Sequence, residues 1–191
     1  GFTLQNYVDY FSEPRIFRSF YNSMFVSMVT MVITTVLAFL FAYGLTRTTM
    51  PGKMFFYTIS TLPLIAPTII QALALILLFG RNGVITRYLL GTSWNIYGAT
   101  GIIVGEILYC FPNALFILYT TLSAVDTRLD HAAQSLGASS MKTFFTVTLP
   151  SAKYGIASAA ALTFNLTITD FGIPVVIGGD YSVLATEIVN K

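Results

Sequence analysis

Two carboxylates, Glu106 and Asp170, lie in or at the end of long apolar runs of this 191-residue chain. A carboxylate at the centre of an apolar helix costs roughly 2.5–3.5 kcal/mol on the insertion scale, against about 0.3–0.6 kcal/mol gained for each Leu, Ile or Phe. Both runs hold enough apolar residues to offset one such group, yet carboxylates in that setting usually face a bundle interior or an aqueous cavity. Glu106 therefore reads in two ways, as a buried helix–helix hydrogen bond or as a group on a solute pathway. Asn113 in the same run, and Pro63 and Pro67 in the preceding one, are the other pathway candidates. Asp170, followed by Phe171-Gly172-Ile173-Pro174, reads more readily as a cap or turn residue.

Little else in the chain is equipped for catalysis. Cys110 is the only cysteine and His131 the only histidine, which excludes an internal disulfide and a His-cluster metal site. A Ser–His pair would need His131, and that residue stands in a polar loop away from the apolar runs. The phosphate-binding pattern Gly-x-x-x-x-Gly-Lys-Ser/Thr is absent. No catalytic residue, no metal site and no resident cofactor are expected.

The elements holding these residues are membrane helices. Only 9% of residues are charged, against about a quarter in soluble domains, and the mean hydropathy is +0.74. The expected fold is all-α, a polytopic transmembrane bundle. A formal charge of +2, without basic clusters, argues against nucleic acid. Spans are expected over about 20–45, 54–79, 96–124 and 153–169, with a further helix starting at about 183. Residues 1–19 read as an interfacial, extracytoplasmic segment. Pro63 and Pro67 kink the second span, either as a packed kink or as a bend lining a pathway. Trp94 is an interfacial anchor. Ser23, Ser27, Thr30, Thr34 and Thr35 read as packing contacts in the first span, and Ala157 to Ala161 suit close helix approach in the fourth. The apolar pattern that resumes near Val183 suggests part of a longer polypeptide.

Between the third and fourth spans lies a polar stretch, Asp126 to Pro150, with its own periodicity. Asp126 is a plausible N-cap. Leu129, Ala132, Ala133 and Leu136 fall at i, i+3, i+4 and i+7, an apolar face with small residues at its middle. Arg128, Asp130, His131, Gln134 and Ser135 take the other side. Gly137 supplies a C-terminal stop, Ser139 and Ser140 cap a second turn, and Pro150 ends the element. An interfacial helix at the bilayer edge is one reading. The alanine-rich face is a poor membrane anchor, however, and suits a groove in a partner protein. If this stretch is cytoplasmic, Arg47, Lys53, Arg128, Lys142 and Lys153 lie inside and Arg15, Arg18, Arg81 and Arg87 outside, a slight positive-inside bias.

His131-Ala132-Ala133, Gly137 four residues later, then Phe144, Val147 and Leu149-Pro150 resemble the Glu-Ala-Ala loop of ABC importer permeases. Leu62-Pro63 with Pro67, and Phe111-Pro112, are similar to that family's transmembrane core, and the resemblance covers roughly Phe20 to Lys191. It implies a MetI-like, type I permease of the bacterial cytoplasmic (inner) membrane, non-catalytic itself. A second permease module, as a copy or a fused half, would complete the pathway. A cytoplasmic ATPase dimer, which would bind ATP and Mg, would receive the loop's helix. A periplasmic or lipid-anchored solute-binding protein would deliver cargo. The coupling residues would be Asp130, His131, Ala132, Ala133, Leu136, Gly137, Leu149 and Pro150. His131 departs from the family's usual Glu and reads as a solvated polar-face residue, leaving Asp130 to keep an acidic contact. Asp170-Phe171-Gly172, Gly178-Gly179 and Val183 to Thr186 resemble a subset serving phosphonates such as 2-aminoethylphosphonate, ferric iron and polyamines. The expected cargo is a small polar solute such as a phosphonate; ferric iron or a polyamine is the alternative, and an ion-coupled carrier using Glu106 a more distant one.

Overall fold

The structure is a computed structural model that describes residues 14–90, 96–126 and 128–189. Most of the expected interfacial segment, and Trp94, lie outside these residues. The order is α1 (Pro14–Arg47), α2 (Lys53–Thr61), a 3-10 turn (Leu62–Ile65), α3 (Thr68–Phe79), a π turn (Thr86–Leu90), and α4 (Ala99–Ala124). Then come α5 (Arg128–Ser135), α6 (Ser140–Thr143), a second π turn (Phe144–Thr148), and α7 (Leu149–Ser151). The long helix α8 (Lys153–Thr169) and the short α9 (Gly172–Ile177) and α10 (Leu184–Val189) complete the chain.

The bundle is built on α1, α4 and α8, which pack against one another. α1 and α4 are each long and apolar enough to cross a membrane. The seventeen residues of α8 reach about 25 Å at 1.5 Å per residue. α1 shows the burial pattern of a helix in lipid. Ser19, Ser23, Ser27, Thr30, Thr34 and Ala38 are buried, while Phe17, Tyr21, Phe25, Val32, Val36 and Leu40 are exposed. In lipid, apolar side chains gain nothing from leaving the surface, so small residues take the helix contacts. α8 does the same with Gly155, Ala159, Thr163 and Thr167, a four-residue repeat of buried positions. At Gly155 a Cβ would run into the side chain of Thr121 on α4, so the two backbones meet as closely as glycine allows.

The second span departs from the expected kinked helix. Its two halves, Lys53–Ile65 and Thr68–Phe79, are bent by 109°. Pro63 is the second residue of the 3-10 turn, Ala66 is extended at ψ 131°, and Pro67 holds ψ 148°. The residue before a proline is pushed out of the α region, and here that happens at Ala66. The helix that carries the first span already includes Pro14 to Ser19.

Two tertiary clasps fix the far end of the bundle. Asn22 donates to the Ser182 carbonyl at 2.8 Å, and Leu184 N–H donates to Ser23 Oγ at 2.8 Å. These bonds hold the turn before α10 against the first turns of α1.

Candidate functional site

The stretch between α4 and α8 folds largely by local rules. Asp126 Oδ1 accepts from the Arg128 N–H at 2.9 Å, and the Leu129 N–H reaches the Asp126 carbonyl at 3.2 Å. α5 ends where Gly137 adopts φ 86°. There the Ala138 N–H returns to the Ala133 carbonyl at 3.0 Å, the wrap that a left-handed glycine permits at a helix C-terminus. Ser139 Oγ accepts from the Lys142 N–H at 3.3 Å, capping α6.

The apolar face of α5 is left uncovered. Leu129 is 53% exposed and Leu136 89%, Ala132 is exposed, and Ala133 is half-buried. Met141 and Phe145 extend this exposed apolar surface into the following turns. For His131 only the backbone, helical here, is described.

Pro150 does not end the element. Helical backbone runs from Ser140 to Ser151 and resumes at Lys153, with Ala152 alone in a turn at φ −90°, ψ −1°. The π turn accounts for the difference. The Leu149 N–H bonds back five residues to Phe144, and the wider turn accommodates a proline that lacks its own N–H. Leu149 packs half-buried on the core cluster of α1 and α4, while Pro150 is exposed.

Asp130 faces inward. Its Oδ2 lies 3.4 Å from Arg47 Nη1 at the end of α1, with side-chain exposures of 14% and 6%. Its Oδ1 accepts from Thr148 Oγ1 at 3.2 Å. Each carboxylate oxygen of Asp130 thus has a partner within the chain. Neither Arg47 nor Thr148 stood out in the sequence: a basic residue at a span end reads only as a topological signal.

The pathway candidates gather about the break. Glu106 is fully buried, and among the described residues neither of its carboxyl oxygens has a hydrogen-bond partner. The Asp170 carboxyl acts on it electrostatically, and Tyr109 and Cys110 share that neighbourhood. Asp170 also caps α9, its Oδ2 accepting from the Ile173 N–H at 2.8 Å. At Gly105, the residue before Glu106, an added Cβ would lie 2.8 Å from Ile173 Cγ2 of α9. A Cβ at Gly172 would meet Thr68, the residue after Pro67. Glu106, Asp170 and Pro67 thus belong to elements in direct contact, whereas Asn113 stands half-buried two turns further along α4.

The break itself is held by a residue the sequence did not flag. Gln71 Nε2 donates to the Pro63 carbonyl at 2.8 Å and to the Ala66 carbonyl at 2.9 Å. The Pro63 carbonyl also accepts from the Ala66 N–H at 3.2 Å, so Gln71 adds a second donor there and supplies one to the Ala66 carbonyl, where the helix is interrupted.

Comparison with known proteins agrees with this architecture. The family model for the binding-protein-dependent transport system inner membrane component matches residues 34–190. The putative ferric transport system permease protein FbpB 1 of Haemophilus influenzae is 31% identical over 196 residues, covering 98% of this chain and 30% of its own length. The molybdenum transport system permease protein ModB of the same organism is 31% identical over 157 residues, covering 78% of this chain and 66% of its own. The spermidine/putrescine permease PotC homolog of Mycoplasma genitalium is 30% identical over 169 residues, covering 88% and 57%. The chain thus spans about 30% of the length of the ferric relative. A crystal structure of a bacterial alginate ABC transporter, in complex with an alginate pentasaccharide-bound periplasmic protein, matches with TM-score 0.78 at 18% identity. That match covers 98% of this chain and 67% of the other and speaks for the fold. On its family match, the chain belongs to the binding-protein-dependent transport system inner membrane components, with the MetI-like helical fold of ABC permeases.

Proposed function

We propose that the chain is a pathway-forming module of an ATP-driven importer and that α5, Gly137 and the turns through Pro150 dock a cytoplasmic ATPase, which binds ATP and Mg. The observation that carries this reading is the uncovered apolar face of α5. Leu129, Ala132 and Leu136 are exposed on a helix whose opposite side is tied to α1 through Asp130. An amphipathic helix presented in this way fits a groove in a partner. A second module, as a copy or a fused half, completes the pathway, and an external solute-binding protein supplies the cargo.

The cargo we propose is a small solute with a cationic group. Glu106 and Asp170 form an interacting pair of carboxyl groups, and α9, which Asp170 caps, packs at Gly172 on Thr68 beside the break in the second span, a setting that favours a cationic group. Ferric iron and polyamines, named in two relatives, satisfy this condition, as does the amine of 2-aminoethylphosphonate, suggested by Asp170-Phe171-Gly172. The test is reconstitution of the whole importer, with its ATPase and binding protein, in proteoliposomes. ATP-dependent accumulation of one of these solutes supports the reading. Accumulation of molybdate or sulfate alone overturns the cargo assignment, and accumulation without ATP overturns the class.

A further inference from the structure

Arg47 lies in the last turn of α1 with its side chain only 6% exposed, and its guanidinium ties α1 to two other segments. Nη1 pairs with Asp130 of α5 at 3.4 Å. Nη2 donates to the carbonyls of Leu122 at 3.3 Å and Val125 at 3.1 Å, at the end of α4. Asp130 adds a fourth segment by accepting from Thr148 in the second π turn. The planar fork of arginine serves these directions at once, which a lysine ammonium on a flexible stem does not reproduce. Beside the ion pair, Phe144 sets its ring edge-on to Phe39 and Tyr43 of α1, with centroids 6.0 and 5.3 Å apart. The outer face of α5 is therefore free to be held by another protein, while its inner side is fastened to the ends of α1 and α4.

We propose that Asp130 and Arg47 form a positioning pair that carries movement of α5 into the first and third spans. Asp130 acts inward, on Arg47, and does not touch the ATPase. This inference rests on the proposed docking of an ATPase at α5. A displacement of α5 pulls on a nearly buried charge pair whose arginine also grips the α4 terminus. The three segments then move together, because separating them would leave a buried charge without its partner.

The experiment uses the full-length importer with its ATPase and solute-binding protein in proteoliposomes. It compares Asp130→Asn, Asp130→Glu and the double variant Arg47→Gln with Asp130→Asn. The double variant leaves no lone buried charge, so it reports on coupling even where a single variant folds poorly. The readouts are the amount of ATPase retained on the purified permease and the solute imported per ATP hydrolysed. Wild-type ATPase retention is expected in the double variant, with import per ATP reduced about tenfold, in the range of coupling between linked sites. Asp130→Glu is expected to recover import per ATP to within about twofold, because it keeps the charge that pairs with Arg47. Wild-type import per ATP in the double variant overturns the proposal, as does selective loss of ATPase binding in Asp130→Asn, which would place Asp130 at the ATPase surface. Absence of bound ATPase on the wild-type permease overturns the docking reading itself and is distinguished from both outcomes.

Discussion

Gln71 bridges the break in the second span to Pro63, its side-chain amide donating to the Pro63 carbonyl at 2.8 Å across eight residues of sequence. The same nitrogen reaches the Ala66 carbonyl, so one side chain ties together the two carbonyls that flank the 3-10 turn. The 109° bend is thus a braced structure and not a loose joint. Gln71→Leu is expected to lower stability by about 0.5–1.5 kcal/mol, the net worth of a typical hydrogen bond, read as a lower thermal midpoint in detergent. An unchanged midpoint would show that the break stands without its brace.

Two helical glycines are expected to respond with opposite sign. At Gly155 an added Cβ would meet Thr121, whereas at Gly44 it would meet nothing within 4 Å. Gly155→Ala should destabilise by about 1–3 kcal/mol through overpacking. Gly44→Ala should be neutral or stabilising by up to about 1 kcal/mol through helix propensity. Thermal midpoints of the two variants, measured side by side, check the packing of α8 on α4.

Gly137 tests the loop through backbone conformation alone. Its φ of 86° is left-handed, and no atom lies within 4 Å of an added Cβ, so a substitution adds strain without a clash. Gly137→Val should cost at least about 1–2 kcal/mol of local strain and impair uptake sharply. Gly137→Asn, which tolerates that conformation better, should retain most of it. Equal uptake by both variants would show that the turn after α5 does not matter to coupling.

What the sequence revealed of this loop was what neighbouring residues decide among themselves. Asp126, Gly137 and Ser139 act within two to five residues of their partners, so their roles could be read directly. The inward turn of Asp130 could not, because Arg47 lies at the end of a different helix and nothing local ties the two. Pro150 misled for a related reason: a proline suggests a stop unless the turn before it widens, and the π turn at Phe144–Thr148 has no comparable signature. Pro63 and Pro67 announced a kink in the second span. The size of the bend depends on Gln71 and on the packing of Gly172 against Thr68, which are tertiary facts. The burial of Ser and Thr along α1 was legible, since a membrane helix buries its small residues.

Glu106 separates a packing role from a pathway role. Its carboxyl is fully buried without a hydrogen-bond partner among the described residues. Glu106→Gln removes the ionisable group and keeps the shape. Uptake of a cationic solute is expected to fall at least about tenfold, the scale of a single lost charge interaction, while the amount of permease in the membrane stays near wild type. Equal loss of both would assign Glu106 to packing.

The docking of α5 on an ATPase is tested most directly by cross-linking. The native cysteine, Cys110, is buried, so a cysteine introduced at the 89%-exposed Leu136 is the accessible thiol. With Leu136→Cys in the full-length importer, a thiol-to-amine cross-linker should join permease to ATPase, and Tyr21→Cys, exposed at the opposite end of α1, should not. A permease–ATPase product from Leu136→Cys alone is the result predicted here. No product from Leu136→Cys in an importer that still transports would contradict it.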